Sequence, residues 1–141
     1  MKKSISSVVK AIIKKDGKYL LTKRCDVDNS DPKHHDFWHI PGGVLEFKED
    51  TQDAVIREMR EELGVEIEVL RLVPKIFNFI GKHSHGVFIH YICKLKDTEA
   101  PIVLNEEASA YGWFTAVEIK DLIRFSDTDE VIAFVEATIC E

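Results

Sequence analysis

The sequence predicts a mixed α/β domain in which helices cover the faces of a sheet. Short runs rich in β-branched and apolar residues, bounded by turn signals, recur along the chain and read as strands. Between the early and the later runs the pattern switches to a helical period over residues 50–64, where Val55, Ile56, Met59 and Leu63 fall on one stripe at about 100° per residue. The 141 residues, 45% hydrophobic and 31% charged, suit one domain with one core, expected to span residues 1–141.

The elements follow in order. Ser7 to Lys14 reads as a buried strand, Asp16-Gly17 as a hairpin turn, and Tyr19 to Arg24 as the returning strand. The basic N-terminal stretch resembles a signal peptide only superficially. Its apolar run, Val8 to Ile13, is interrupted by Lys10 and lacks a small-residue cleavage site. Residues 26–37, DVDNSDPKHHDF, form a loop by composition. Asp26, Asp28 and Ser30 imitate the start of a calcium loop, but Asp31 replaces the required glycine and Phe37 the closing glutamate. Pro41-Gly42-Gly43 is expected to be a turn that brings backbone close to a ligand. The helix then starts at the N-cap Asp50, with Asp53 as a weak capping-box partner, and ends at Gly64.

Beyond the helix, Val65 to Val73 and Lys75 to Ile80 are extended, and Gly81 to Gly86 is a polar hairpin tip. Val87 to Leu95 is a strand with Ile89, Tyr91 and Cys93 on one face and Phe88, His90 and Ile92 on the other. His83 and His85 have the spacing of a metal pair, but His90 has the wrong parity to complete it. Tyr111 to Phe114 is a short strand. Ala116 to Ile123 is a short helix capped by a Thr115–Glu118 box, and Thr128 to Ile139 is a terminal helix.

Composition narrows the function. No apolar run approaches the roughly 20 residues of a membrane span. Cys25, Cys93 and Cys140 make an odd set without a CxxC pair, which argues against disulfides and zinc and for a cytoplasmic protein. The net charge of −6 offers no global attraction for nucleic acid, so no stable nucleic-acid complex is expected.

The chemistry concentrates in residues 38–65, WHIPGGVLEFKEDTQDAVIREMREELGV. Glu58 and Glu62 stack four apart on the helix, with Glu61 to one side. Alone, such carboxylates repel, and a hard divalent cation reverses the sign. Gly43, Glu49, Arg57-Glu58, Met59, Glu61-Glu62, Gly64 and Val65 match the Nudix box at every fixed position, so the chain resembles the Nudix hydrolase family.

That resemblance implies the Nudix fold, a mixed β-sheet sandwiched between α-helices. It also implies hydrolysis of a nucleoside diphosphate linked to another group, with Mg²⁺ as cofactor or Mn²⁺ in its place. Glu58, Glu61 and Glu62 would then hold metal, with the Gly42 carbonyl as a further candidate ligand. Glu49 and Arg57 would order the loop and helix, alongside Gly43 and Gly64. Glu107, six residues before Trp113, is the carboxylate outside the box expected to bind metal or act as general base, with Glu106 as its neighbour. An acidic residue frequent in relatives three before the Trp is replaced by Ala110. Arg24 is the candidate phosphate contact and Phe37 a candidate base contact. The expected substrate is a small-molecule nucleotide, foremost nucleoside triphosphates cleaved to monophosphate and pyrophosphate. ADP-ribose or a nucleotide sugar is the enzymatic alternative, and a catalytically silent nucleotide sensor the non-enzymatic one. Homodimerisation is common in the family.

Overall fold

Asp16 and Gly17 both take positive φ, 52° and 77°, the backbone of a tight hairpin turn whose twist matches its strands. They join β1 (Ser6–Lys15) to β2 (Lys18–Arg24) in the computed structural model, which describes residues 3–25, 36–125 and 127–139. The two strands pair only beside the turn, at Lys14↔Tyr19 and Lys15↔Lys18. Farther on, different partners take each strand. β3 (Trp38–His39) and β8 (Ala108–Phe114) flank β2, and β4 (Gly42–Val44) lies against β1. The fold is therefore open between β1 and β2, and the segment holding β3 and β4 fills that opening.

On its other edge β1 runs parallel to the long β7 (His85–Leu95), from Ser6↔Gly86 to Ile13↔Cys93. β5 (Ile67–Leu72) and β6 (Phe77–Ile80) pair antiparallel with successive parts of β7. The sheet is mixed, as expected.

Alternation along β1 assigns the two faces. Val9, Ala11 and Ile13 pack with Ala54, Val55, Met59 and Leu63 of α1 (Thr51–Leu63). Ile12 packs on the opposite face with Ile119 of α2 (Ala116–Lys120) and Val131, Ile132 and Val135 of α3 (Thr128–Thr138). The sheet is thus sandwiched between helices. Burial of each large apolar side chain contributes about 1.5–3 kcal/mol. Met59→Ala, at a fully buried position, would cost about 2–5 kcal/mol. The expected faces of β7 hold: Ile89, Tyr91 and Cys93 meet the α1 side, and Phe88 and Ile92 the α3 side.

Two local expectations need correction. Pro41-Gly42-Gly43 does not make a turn: Gly42 and Gly43 lie in β4, and neither takes positive φ. Glycine is required there by close packing instead, since a Cβ at Gly42 would overlap the Val9 carbonyl of β1. The N-cap of α1 closes at Gln52, whose N–H donates to Asp50 Oδ1 at 2.8 Å, rather than at Asp53. Gly64 ends α1 in the left-handed region, and the Thr115–Glu118 capping box of α2 is present. Asp26, Asp28, Ser30 and Asp31 of the rejected calcium loop, the His34-His35 pair and Cys140 lie outside the described residues. No helix among the described residues is long and apolar enough to cross a membrane.

Candidate metal centre

Two sides of α1 meet the chain differently. Its apolar stripe enters the core, and the adjoining turn carries Glu58 and Glu62 inward, 8% and 2% exposed. Carboxylates rarely sit so deep without a partner. Glu62 Oε1 accepts from Thr22 of β2 at 3.3 Å, while Glu62 Oε2 is buried with no hydrogen-bond partner. Burial, with repulsion from Glu107 and Glu58, lifts the Glu62 pKa to about 7, against the attraction of Lys10. Burial also raises that of Glu58, partly offset by its bond from Arg57.

Glu107 reaches the same place from the turn before β8. Its N–H donates to Asn105 Oδ1 at 3.0 Å, and its carbonyl accepts from Cys25 N–H at 2.9 Å, which fixes the loop to the end of β2. Glu58, Glu62 and Glu107 each place a carboxylate oxygen within 4.8 Å of the others. Glu106, its exposed neighbour, is not in this group.

Glu61 stands apart, with a side chain 55% exposed and its carboxylate on Arg57 Nη1 at 3.1 Å. Arg57 is the organiser of this edge. Its Nε and Nη2 donate to the two oxygens of Glu49 at 2.7 and 2.9 Å, and its Nη1 also donates to Glu58 at 3.0 Å. The fork raises the Arg57 pKa and lowers that of Glu49. Glu49 in turn accepts from Glu46 N–H, and Arg57 Nη2 donates to the Val44 carbonyl, so the loop after β4 is fastened to α1. Gly43 lies so close to Glu58 that any Cβ would overlap its carboxylate. Gly42 pairs with Lys10 across the β1–β4 ladder.

Arg24 and Phe37, the two candidate substrate contacts, meet at Phe125. Arg24 N–H donates to the Phe37 carbonyl at 2.9 Å, the guanidinium stands 5.8 Å from the Phe125 ring, and Phe37 contacts that ring edge-on at 5.4 Å.

The sequence reading missed Thr22, Lys10 and His39. Lys10 Nζ donates to the Ile40 carbonyl at 2.9 Å and faces His39 Nδ1 at 3.1 Å. The signal for Lys10 was present as the single charge inside the apolar run Val8 to Ile13. Thr22 and His39 carried no local signal.

Glu58, Glu62 and Glu107, with an orphaned buried oxygen on Glu62, form a donor set for a hard divalent cation. The residues present fit such an ion. The orphaned Glu62 oxygen lacks a partner that a cation would supply, and oxygen ligands are what Mg²⁺ and Mn²⁺ prefer.

Comparison with known proteins identifies the family and the fold. The family model described as NUDIX domain matches residues 3–133. A bis(5'-nucleosyl)-tetraphosphatase (asymmetrical) of Mus musculus is 29% identical over 101 residues, covering 70% of this chain and 67% of the mouse protein. Nucleoside triphosphatase NudI of Escherichia coli is 28% identical over 127 residues, covering 84% of this chain and 86% of that protein. Among solved structures, the MutT protein from Methanosarcina mazei Go1 superposes with a TM-score of 0.81 at 20% identity, covering 99% of both chains, a likeness of fold.

Proposed function

The chain belongs to the NUDIX domain family, whose hydrolases act on phosphoric anhydride bonds, and from that premise we propose that it hydrolyses nucleoside triphosphates to monophosphate and pyrophosphate with Mg²⁺. The observation that carries this reading is the orphaned, buried oxygen of Glu62 inside the group formed with Glu58 and Glu107. Similarity over most of both chains to a nucleoside triphosphatase supports the substrate class.

Glu58, Glu62 and Glu107 are the proposed core of the ligand set. Glu61 is its fourth carboxylate, shared with the Arg57 that also holds Glu58. The Gly42 carbonyl remains a proposed ligand. A hard divalent cation, Mg²⁺ or Mn²⁺, supplies charge neutralisation of the phosphates and activation of water. The chain's own residues do the rest. Arg57 holds the Glu58 carboxylate in place through its bond at 3.0 Å, and Glu49 holds Arg57. Glu107, the exposed member of the cluster, is proposed either to complete the ligand set or, because solvent reaches it while Glu58 and Glu62 are buried, to act as general base. Arg24 is the proposed phosphate contact and Phe37 the proposed base contact.

A phosphate-release screen with Mg²⁺ tests the reading, run over triphosphates with pyrophosphatase added, and over dinucleoside polyphosphates, ADP-ribose and nucleotide sugars with alkaline phosphatase added to release phosphate from the phosphomonoester products. Several triphosphates are expected to turn over, with kcat/KM spread over about 10–200-fold. Strong activity on ADP-ribose with none on any triphosphate would overturn the substrate and leave the metal centre standing.

A further inference from the structure

β1 carries alternate side chains to the α1 core, and Lys10 points to the other face, where Ile12 is buried. A lysine in an interior strand is unusual. Its ammonium donates to the Ile40 carbonyl at 2.9 Å and to His39 Nδ1 at 3.1 Å. An ammonium has donors only, so His39 accepts at Nδ1, and its neutral ring carries the proton on Nε2. Burial, with Lys10 and Arg24 nearby, holds the His39 pKa well below the usual range, so the ring stays neutral. The third ammonium proton has no oxygen or nitrogen partner among the described residues, and the Phe88 ring lies 5.4 Å away.

The next strand adds a second unfinished group. His90 is the register partner of Lys10 in β7, 1% exposed, and its Nδ1 has no hydrogen-bond partner. Its ring stands edge-on to Phe77 at 5.5 Å and to Phe88 at 6.5 Å. His39 also meets Phe125 at 5.8 Å, and Phe125 meets Phe37. The group is therefore a small polar nest with planar, apolar walls. It adjoins the carboxylates: Thr22, the donor to Glu62, is the register partner of His39.

We propose that Lys10 and His39 read the base of the bound nucleotide, and that they select bases with a carbonyl edge, guanine and uracil or thymine, over adenine and cytosine. This rests on the nucleotide reading above. The third proton of Lys10 and the Nε2–H of His39 are the donors left for a base, since neither has a hydrogen-bond partner among the described residues. Guanine presents two adjacent acceptors, O6 and N7, the edge that lysine reads in nucleic acids, whereas adenine and cytosine present an amino donor at the equivalent place. A donor facing a donor leaves both unpaired, and an unpaired buried donor is costly. Phe37 and Phe125 stand edge-on to each other beside this pair, and aromatic rings stack on any base, which gives affinity without choice.

The test measures binding of GMP, AMP, UMP and CMP to the full chain by calorimetry without divalent metal, so that it does not depend on catalysis. GMP is expected to bind about tenfold or more tighter than AMP, and UMP than CMP. Lys10→Met, which keeps the stem length, is expected to bring both ratios close to one with little change for AMP and CMP. His39→Ala, at a partly exposed position, is the second variant and is expected to reduce both ratios even if Lys10→Met does not fold. Equal wild-type affinities, no binding of any of the four, or a uniform loss across all four in the variants would overturn the proposal. A uniform loss would assign Lys10 to the phosphate or the fold. Selective binding in a protein that hydrolyses no triphosphate would leave base reading intact and remove only the proposed reaction.

Discussion

The backbone of Gly43 lies against the carboxylate of Glu58 with no room for a methyl group between them. Arg57 Nη1 donates to the same carboxylate at 3.0 Å. Glu58 is thus set by one residue of β4 and one of its own helix. Gly43→Ala is expected to push the carboxylate out of the cluster with Glu62 and Glu107, at a stability cost of about 1–3 kcal/mol for overpacking. Turnover should fall more than tenfold, with weaker Mn²⁺ binding. Thermal unfolding and Mn²⁺ titration check this. Full activity in a folded Gly43→Ala protein would show that the position of Glu58 is not critical.

Arg57 makes a planar fork to Glu49 and further bonds to Glu58 and Glu61. A lysine cannot reproduce that geometry. Arg57→Lys should therefore lose about 1–3 kcal/mol of stability, the scale of one or two lost hydrogen bonds to charged groups. Urea unfolding in EDTA measures it. A variant as stable as the parent would mean the fork is not a structural clamp.

Glu62 gives the metal-free protein a signed pH dependence. Its folded pKa of about 7 lies above the unfolded carboxylate value near 4.5, so the folded state holds the proton more tightly. Stability is highest below about pH 4.5 as far as this group is concerned, and falls as pH rises toward 7, by up to about 3 kcal/mol. Glu62→Gln should remove that fall, and Mg²⁺ should reverse it in the parent. Unfolding free energies in EDTA between pH 4.5 and 7.5, parent against Glu62→Gln, decide the point. Parallel curves would exclude Glu62 as the group responsible.

Lys48 sits in the loop between β4 and α1 at φ 66°. The left-handed region costs a non-glycine residue about 1–2 kcal/mol, and glycine in the unfolded chain costs about 0.5–1 kcal/mol in entropy. Lys48→Gly should stabilise the protein by less than about 1.5 kcal/mol and leave kcat unchanged. A lower melting temperature would show that the lysine side chain contributes more than its backbone strain costs.

Much of the fold was legible because periodicity and turn chemistry are local. Asp16-Gly17, the Thr115–Glu118 box and the Gly64 terminus each announce themselves within four residues. The partition of Ile89, Tyr91 and Cys93 from Phe88 and Ile92 follows from alternation alone. Gly42 and Gly43 were misread because glycine signals conformational freedom and close approach alike. Only the paired strand and the Glu58 carboxylate show which applies. At the metal centre, helical spacing brought Glu58 and Glu62 together, but spacing could not show that Arg57 draws Glu61 aside. The nest at Lys10 was illegible for a related reason. Its members come from β1, β3 and β7, and only the opening between β1 and β2 lets them meet.

The central claim is that Glu58, Glu62 and Glu107 form a divalent-cation site. Mn²⁺ binding to the purified protein, followed by electron paramagnetic resonance at pH 7.5 in the parent and in Glu62→Gln, tests it most directly. One tight site is expected in the parent, weakened at least about tenfold in Glu62→Gln, the scale of losing one partner from a desolvated charge cluster, while circular dichroism shows the fold retained. Equal Mn²⁺ affinity in the two proteins would contradict it.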